Sequence, residues 1–270
     1  MSPEAIALAF RSACRDGAPV AGSLGPDRSN ITDVIGSALA RPGAGIGSRV
    51  AGAAEATSGA GVDVGLLLLC APLAAACDPA LNGGEGPFSA RIAAVLAGLG
   101  PADAQAVRGV LKRCEAPDLA RAAAAPPGSS LRQMMQAAAG ESRVALQYGT
   151  DFTDLAVFAL PTLLRALKRA LAATQAVATA LPLAAQSLFL ACLATFPDSS
   201  IVATRGAAAA RTVMQEARRL VSAGAAFAPG RHGTAIAAFA AGLEARGLAP
   251  VRSADMTLAT LFLTRLGTAA

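Results

Sequence analysis

Two stretches of the chain carry no charged residue: Val64 to Cys77, 14 residues, and Thr174 to Pro197, 24 residues. Segments of this kind leave water on folding, and their backbone N–H and C=O groups then need partners inside the protein. Both runs are rich in Ala and Leu. Ala loses no side-chain entropy in a helix and has little to offer a pleated surface, so the composition favours helix. The alternating Val, Ile, Thr and Tyr runs that mark strands are absent. The first run is shorter than the roughly 20 residues of a membrane span. The second holds Gln175, Pro182 and Gln186 and opens with Ala and Thr. Both are read as buried central helices of a globular bundle, not as membrane spans.

Hydrophobic residues make up 54% of the 270 positions and charged ones 15%, enough apolar material for a sizeable core. Of the 23 basic residues, all but Lys112 and Lys168 are arginine, and the formal charge is +5. The guanidinium fork suits phosphate. The cations are scattered, however, with no basic block interleaved with aromatics, which argues against nucleic acid as a partner. Five cysteines without a CxxC, and a single histidine, His232, argue against zinc and against a disulfide framework. Free thiols in a reducing cytoplasm are expected. The segment "MSPEAIALAFRSACRDG" has Glu4 but no basic region ahead of its short apolar stretch, unlike a secretory signal.

Periodicity and punctuation predict helices over residues 3–15, 31–40, 45–59, 63–77, 88–99, 102–114, 130–148, 153–171, 182–195, 207–223, 232–247 and 254–266. A kink is expected at Pro72 and an N-cap at Ser253, with loops over 16–30 and 78–87. No fixed-period repeat and no shift in composition marks a boundary. The expectation is an all-α fold of about ten helices forming one domain over residues 1–270.

Against this apolar background the polar constellations are few. "TSGAGVDVG", from Thr57 through Asp63, breaks the chain ahead of a buried helix; it reads either as a phosphate-holding helix start or as a turn with a cap. In "ESRVALQYGTDFTD", Gln147, Tyr148, Asp151 and Asp154 gather at a helix junction, and the two aspartates share a face if a helix runs through both. Such a pair can hold Mg²⁺ with a nucleoside triphosphate, or simply cap the helix. "FPDSSIVATRG" sets Asp198, Ser199 and Ser200 beside Arg205 and Gly206, a nucleotide-handling combination in what reads as a connection between helices. Ser253 with Asp255, and Asp103 in a helix first turn, complete the set. Neither GxxxxGK[ST] nor GxGxxG is present, and one histidine offers no basis for a Ser-His-Asp mechanism.

In order along the chain, these pieces resemble the triphosphoribosyl-dephospho-CoA synthase family. The resemblance runs from about residue 31 to 266 through "ITDVIGSALA" (Asp33, Ser37), "TSGAGVDVGLLLLCAPLAAA", "GPADAQAV", "SRVALQYGTDFTDLAVFALPTL", "FPDSSIVATRG" and "LEARGLAPVRSADMTLATLF". It implies an all-helical enzyme that moves the triphosphoribosyl group of ATP onto a ribose hydroxyl of 3'-dephospho-CoA and releases adenine, with Mg²⁺ accompanying ATP. On this reading Asp198 and Asp255 are catalytic. Thr57, Asp63, Asp103, Gln147, Tyr148, Ser199, Arg205, Gly206 and Ser253 bind the nucleotide, and Asp63 and Asp103 take the metal.

The departures fall at polar positions. The family's Lys-Pro-Gly-Asn segment is not identifiable, with "DGAPVAGSLGPDRSN" in its place. Asn-Thr-Asn reads Gly61-Val62-Asp63. Arg-Asp ahead of Gln-Tyr reads Glu141-Ser142, and Arg-Lys after Pro-Asp-Ser reads Ala203-Thr204. Asn-Pro-Gly-Thr-Thr reads Ala249-Pro250-Val251-Arg252-Ser253. Two alternatives therefore stand beside the first reading: a divergent relative serving another cofactor, such as a one-carbon carrier of the methanopterin or methanofuran type, and a catalytically degenerate homologue that binds a protein partner. The oligomeric state is left open, a homo-oligomer among the options.

Overall fold

A computed structural model describes residues 1–17, 29–57, 63–82, 86–226 and 228–268 of the chain. The described residues hold thirteen α-helices of seven or more residues and no strand. They are α1 (Pro3–Asp16), α2 (Ser29–Leu39), α3 (Ile46–Ala56), α4 (Val64–Ala76), α5 (Phe88–Ala97), α6 (Pro101–Leu111) and α7 (Leu131–Ala138). The rest are α8 (Arg143–Gly149), α9 (Leu160–Thr174), α10 (Val177–Thr195), α11 (Ser199–Ser222), α12 (Gly233–Ala245) and α13 (Val251–Thr268).

The uncharged run at Val64 became the middle of the protein: every residue of α4 is buried. Helix α13 packs against α4, α1 and α10, and one apolar cluster joins residues from Ile6 to Leu266 around these helices. Phe10 of α1 meets Phe262 of α13 edge to face, with ring centroids 5.6 Å apart. A smaller cluster ties α11 and α12 to the end of α10 through Leu193, Ile201, Val213 and Leu243. The second uncharged run, α10, is the one described helix long and apolar enough to cross a bilayer; 56% of its span-length window is buried inside the fold.

Several expected boundaries shift for local reasons. The segment 130–148 is two helices, because Ser142 caps a new start after Gly140 and its hydroxyl accepts the N–H of Ala145. The helix expected at 182 begins at Val177 and carries Pro182 inside it. The helix expected at 207 does follow Gly206, whose backbone (φ 85°, ψ 163°) is not helical. A further helical segment from Ser199, not foreseen from the sequence, joins it across that kink in α11 and makes "FPDSSIVATRG" mostly helix. The last helix begins at Val251, which puts Ser253 inside its first turn instead of at the cap, and Asp255 at its fifth residue. Pro79–Asn82 forms one helical turn within the stretch read as loop. The loop expected over 16–30 and Gly61-Val62 lie largely or wholly outside the described residues.

Candidate functional site

Four helices begin at one place. Asp63 caps α4, accepting the N–H of Gly65 at 2.9 Å. Ser142 caps α8, whose first residue, Arg143, donates its backbone N–H to the Ser199 hydroxyl at 3.2 Å. Asp198 caps α11, accepting from the N–H groups of Ser200 and Ile201. The same carboxylate accepts the N–H and the hydroxyl of Ser253, both at 2.8 Å, in the first turn of α13. The Ser200 hydroxyl completes this join by accepting the N–H of Val251 at 3.2 Å. Helix N-termini present unpaired N–H groups and a positive dipole end, which is why carboxylates can be buried here.

Arg252, in α13, lies at the centre. Its Nε and Nη2 donate side by side to Asp118, at 3.0 and 2.9 Å. Its Nη1 donates to Asp63 at 2.6 Å and to Asp255 at 2.8 Å. Asp118 also accepts the hydroxyls of Ser142 (2.7 Å) and Ser199 (3.1 Å). Of the three carboxylates around the guanidinium, only Asp63 reaches solvent, with 27% of its side chain exposed against 0% for Asp118 and 4% for Asp255.

The guanidinium leaves Asp118 and Asp255 displaced in opposite directions. Burial alone would raise the Asp118 carboxyl, but the two bonds from Arg252, its charge and the two serine hydroxyls outweigh burial and hold it below 3.8. Asp255 shares a single Nη1 with Asp63. Burial, joined by the Asp63 charge, pushes it well above 3.8 despite Arg252. Burial works against the charge of Arg252 too, and the three carboxylates overcome it.

A second polar group adjoins the first through Ser199. Arg143 pairs with Asp154 at 2.9 Å and stacks over the Phe196 ring at 3.4 Å, while Gln147 donates to Asp154 at 2.7 Å. Two buried atoms, Arg143 Nε and Gln147 Oε1, have no partner. The backbone here is unusual: Asp151 and Phe152 both have positive φ (50° and 61°), and Asp154–Ala159 form a π-helical turn. Asp151 and Asp154 therefore do not share a helical face. Asp151 pairs with Arg132 on the surface, and Asp154 alone turns to the site.

The remaining expected site residues lie apart from these bonds. The Thr57 hydroxyl bonds back to Ala53 O at 2.6 Å within α3. Tyr148 is buried with its hydroxyl on Leu68 O at 2.7 Å, an anchor between α8 and α4 whose ionisation burial pushes far up. Arg205 is exposed and lies against Gly247 in the turn after α12; Gly206 only breaks α11. Asp103 uses one oxygen on Gly47 N–H (2.8 Å) and the other on Gly100 N–H (3.2 Å), tying α3 to α6. Asp63 and Asp103, the expected metal ligands, thus have no partner in common. The Arg252 guanidinium occupies both oxygens of Asp118 and one oxygen each of Asp63 and Asp255, so the three residues together do not fit an ion held by the protein. Among the described residues no group of three His, Cys, Asp or Glu is arranged to hold a metal.

Two central residues escaped the sequence reading as site members. Asp118 lies in "EAPDLARAAAAPPGS", which reads as part linker, and Arg252 is one arginine among many. The signal for Arg252 was present: it stands at one altered motif position and Asp63 at another, and the two are bonded to each other.

No curated protein matches the chain. A solved structure from Archaeoglobus fulgidus, provisionally assigned as a triphosphoribosyl-dephospho-CoA synthase, shares the fold with a TM-score of 0.61 at 17% identity, over 93% of this chain and 96% of that one. The profile of the family described as ATP:dephospho-CoA triphosphoribosyl transferase (CitG) matches residues 2–270. A match over that span shows the family: the chain belongs to the ATP:dephospho-CoA triphosphoribosyl transferases and is a nucleotide-dependent transferase of that type.

Proposed function

We propose that the chain transfers the triphosphoribosyl group of ATP to a hydroxyl of a nucleotide-like acceptor, 3'-dephospho-CoA in the first instance, at the place where α4, α8, α11 and α13 begin. The observation that carries this reading is the convergence of four helix N-termini on a cluster of acids and arginines in an otherwise apolar protein. Breaking the bond between ribose and adenine develops positive charge on the sugar, and a fixed carboxylate nearby stabilises it. Asp63 suits that task, being the solvent-reaching member of the Arg252 cluster. Asp198 and Asp255 then hold the frame: Asp198 by joining α11 to α13, and Asp255 by accepting from Arg252 Nη1 at 2.8 Å. Gln147 and Arg143, with their unpartnered atoms, face the base or the phosphates. A groove of about 600 Å³ lined by Leu111, Cys114, Pro117 and Ala120, residues on either side of the buried Asp118 in the chain, offers an apolar wall to the acceptor. Magnesium arrives as the counterion of ATP. Five free cysteines suit a reducing cytoplasm.

The test is to incubate the chain with ATP, Mg²⁺ and 3'-dephospho-CoA and follow adenine by chromatography and the product by mass. Adenine release that depends on the acceptor is expected. Asp63→Asn is expected to slow turnover on the order of 10²-fold while leaving the fold intact; unchanged turnover would remove Asp63 from the site. A second acceptor, such as a one-carbon carrier, is favoured by one observation: Asp63 and Arg252, which depart from the family pattern, are paired with each other. Adenine release with that carrier and not with dephospho-CoA would decide for it.

A further inference from the structure

We infer that Arg252 is the resident cation of this site. It fills the position that a divalent ion would take among Asp63, Asp118 and Asp255, and it positions Asp63 at the mouth, so magnesium reaches the protein only with its nucleotide. Four guanidinium bonds, from 2.6 to 3.0 Å, go to three different carboxylates. The side-on pair to Asp118 fixes the plane of the group, and a guanidinium held this way cannot swing aside without breaking both bonds.

The backbone of α4 is shaped to admit it. A Cβ at Gly65 would sit 2.3 Å from Arg252 Nη1 and 2.4 Å from an Asp255 oxygen. Helix α4 can therefore approach the ion pair this closely only with glycine in its first turn. Magnesium demands oxygens at about 2.0–2.1 Å in octahedral array and keeps several waters. A buried guanidinium in contact with the same oxygens denies it both the space and the charge. Arg252 also does what a metal would do for Asp63, holding one oxygen at 2.6 Å with the other side of the carboxylate toward solvent.

The inference does not depend on the acceptor, and its test uses no nucleotide. The full-length chain is titrated with Mn²⁺ alone, with the free-ion EPR signal as readout. Wild type is expected to leave the signal unchanged at equimolar ion. Arg252→Ser, which leaves three acids and a small hydroxyl, is expected to take up one Mn²⁺ and to show a melting temperature that rises with Mn²⁺, because a ligand bound only by the native state stabilises it. Arg252→Lys keeps a cation and is expected to behave as wild type toward Mn²⁺. A tight Mn²⁺ on the wild-type chain, released by Asp63→Asn or Asp118→Asn, would overturn the inference whatever the variants do. So would a folded Arg252→Ser chain that takes up no Mn²⁺. An Arg252→Ser chain that folds only when Mn²⁺ is supplied would support it.

Discussion

Two arginines are buried among the described residues, Arg49 and Arg252, and their surroundings differ. Arg49 of α3 is fully buried and has one acidic partner, Asp78, at 2.6 Å; its other donors go to the carbonyls of Ala44 and Leu39. Asp78 in turn accepts the N–H groups of Gly43 and Ala80. Charge meets charge once, and dipoles satisfy the rest. Burial dominates there and lowers the Arg49 pKa, with Asp78 offsetting only part. Arg252 faces three acids, and its pKa moves the other way. The balanced pair staples the end of α2 and the start of α3 to the end of α4. The unbalanced cluster gathers three acids around one cation beside four helix starts, where the unpaired N–H groups and the positive dipole ends favour negative charge.

The largest effect separates the two directly. Removing one partner of a buried pair leaves an uncompensated charge, so Arg49→Met is expected to cost about 3–5 kcal/mol in urea unfolding. The double replacement Arg49→Met with Asp78→Leu should return most of that loss. Arg252→Met should also destabilise, but with a different signature. It leaves three carboxylates without their cation, so its stability should recover as pH falls and they take up protons. An Arg252→Met chain with no such recovery would mean that the two arginines play the same role.

Next in size is the pH dependence of the cluster itself. Asp118 is held below 3.8 in the folded chain, so it contributes stability that is present above 3.8 and lost as pH falls through its lower folded value. Asp255 has the opposite sign. Its folded pKa lies above 3.8, so between the two values the folded chain keeps a proton that the unfolded chain releases, and stability declines as pH rises. Asp255→Asn mimics the protonated acid. It should flatten the decline in melting temperature that sets in as pH rises above 3.8 and leave the acid limb unchanged, while Asp118→Asn should weaken the acid limb. A wild-type profile that Asp255→Asn does not alter would mean that Asp255 is already ionised beside Arg252.

How much of this the sequence disclosed follows from the same contrast. The frame was legible because Ala and Leu in uncharged runs can fold in few ways, and the fully buried α4 answers to one such run. Asp63, Asp198 and Asp255 were legible as acids beside helix starts, and they do converge. What stayed hidden was partnership. Nothing local says that Arg252 will meet Asp118 across 134 residues of sequence, or that Asp198 will cap two helices at once. Arg205 drew attention because it stands near Asp198 in sequence, yet the helix that Asp198 caps carries it away to Gly247. The π-helical turn at Asp154 follows two positive-φ residues in "GTDFTD", which no side-chain pattern required.

The smallest effects come from two glycines and sharpen the comparison on the scale of one methyl group. Gly52 of α3, one turn from Arg49, has nothing within 4 Å of an added Cβ. Gly52→Ala should stabilise the chain by about 0.5–1 kcal/mol, the ordinary gain of alanine over glycine inside a helix. Gly65 of α4 is just as helical, so backbone entropy favours alanine there equally. An added methyl would nonetheless strike Arg252 Nη1 at 2.3 Å, and that atom holds both Asp63 and Asp255. Gly65→Ala should therefore cost about 1–3 kcal/mol net, the usual penalty for overpacking. It should also lower turnover more than its stability loss explains, because displacing Nη1 releases Asp63 at the mouth. Equal, stabilising responses at the two glycines in thermal melts would show that the guanidinium yields easily, and that the geometry around Arg252 is not what keeps α4 so close.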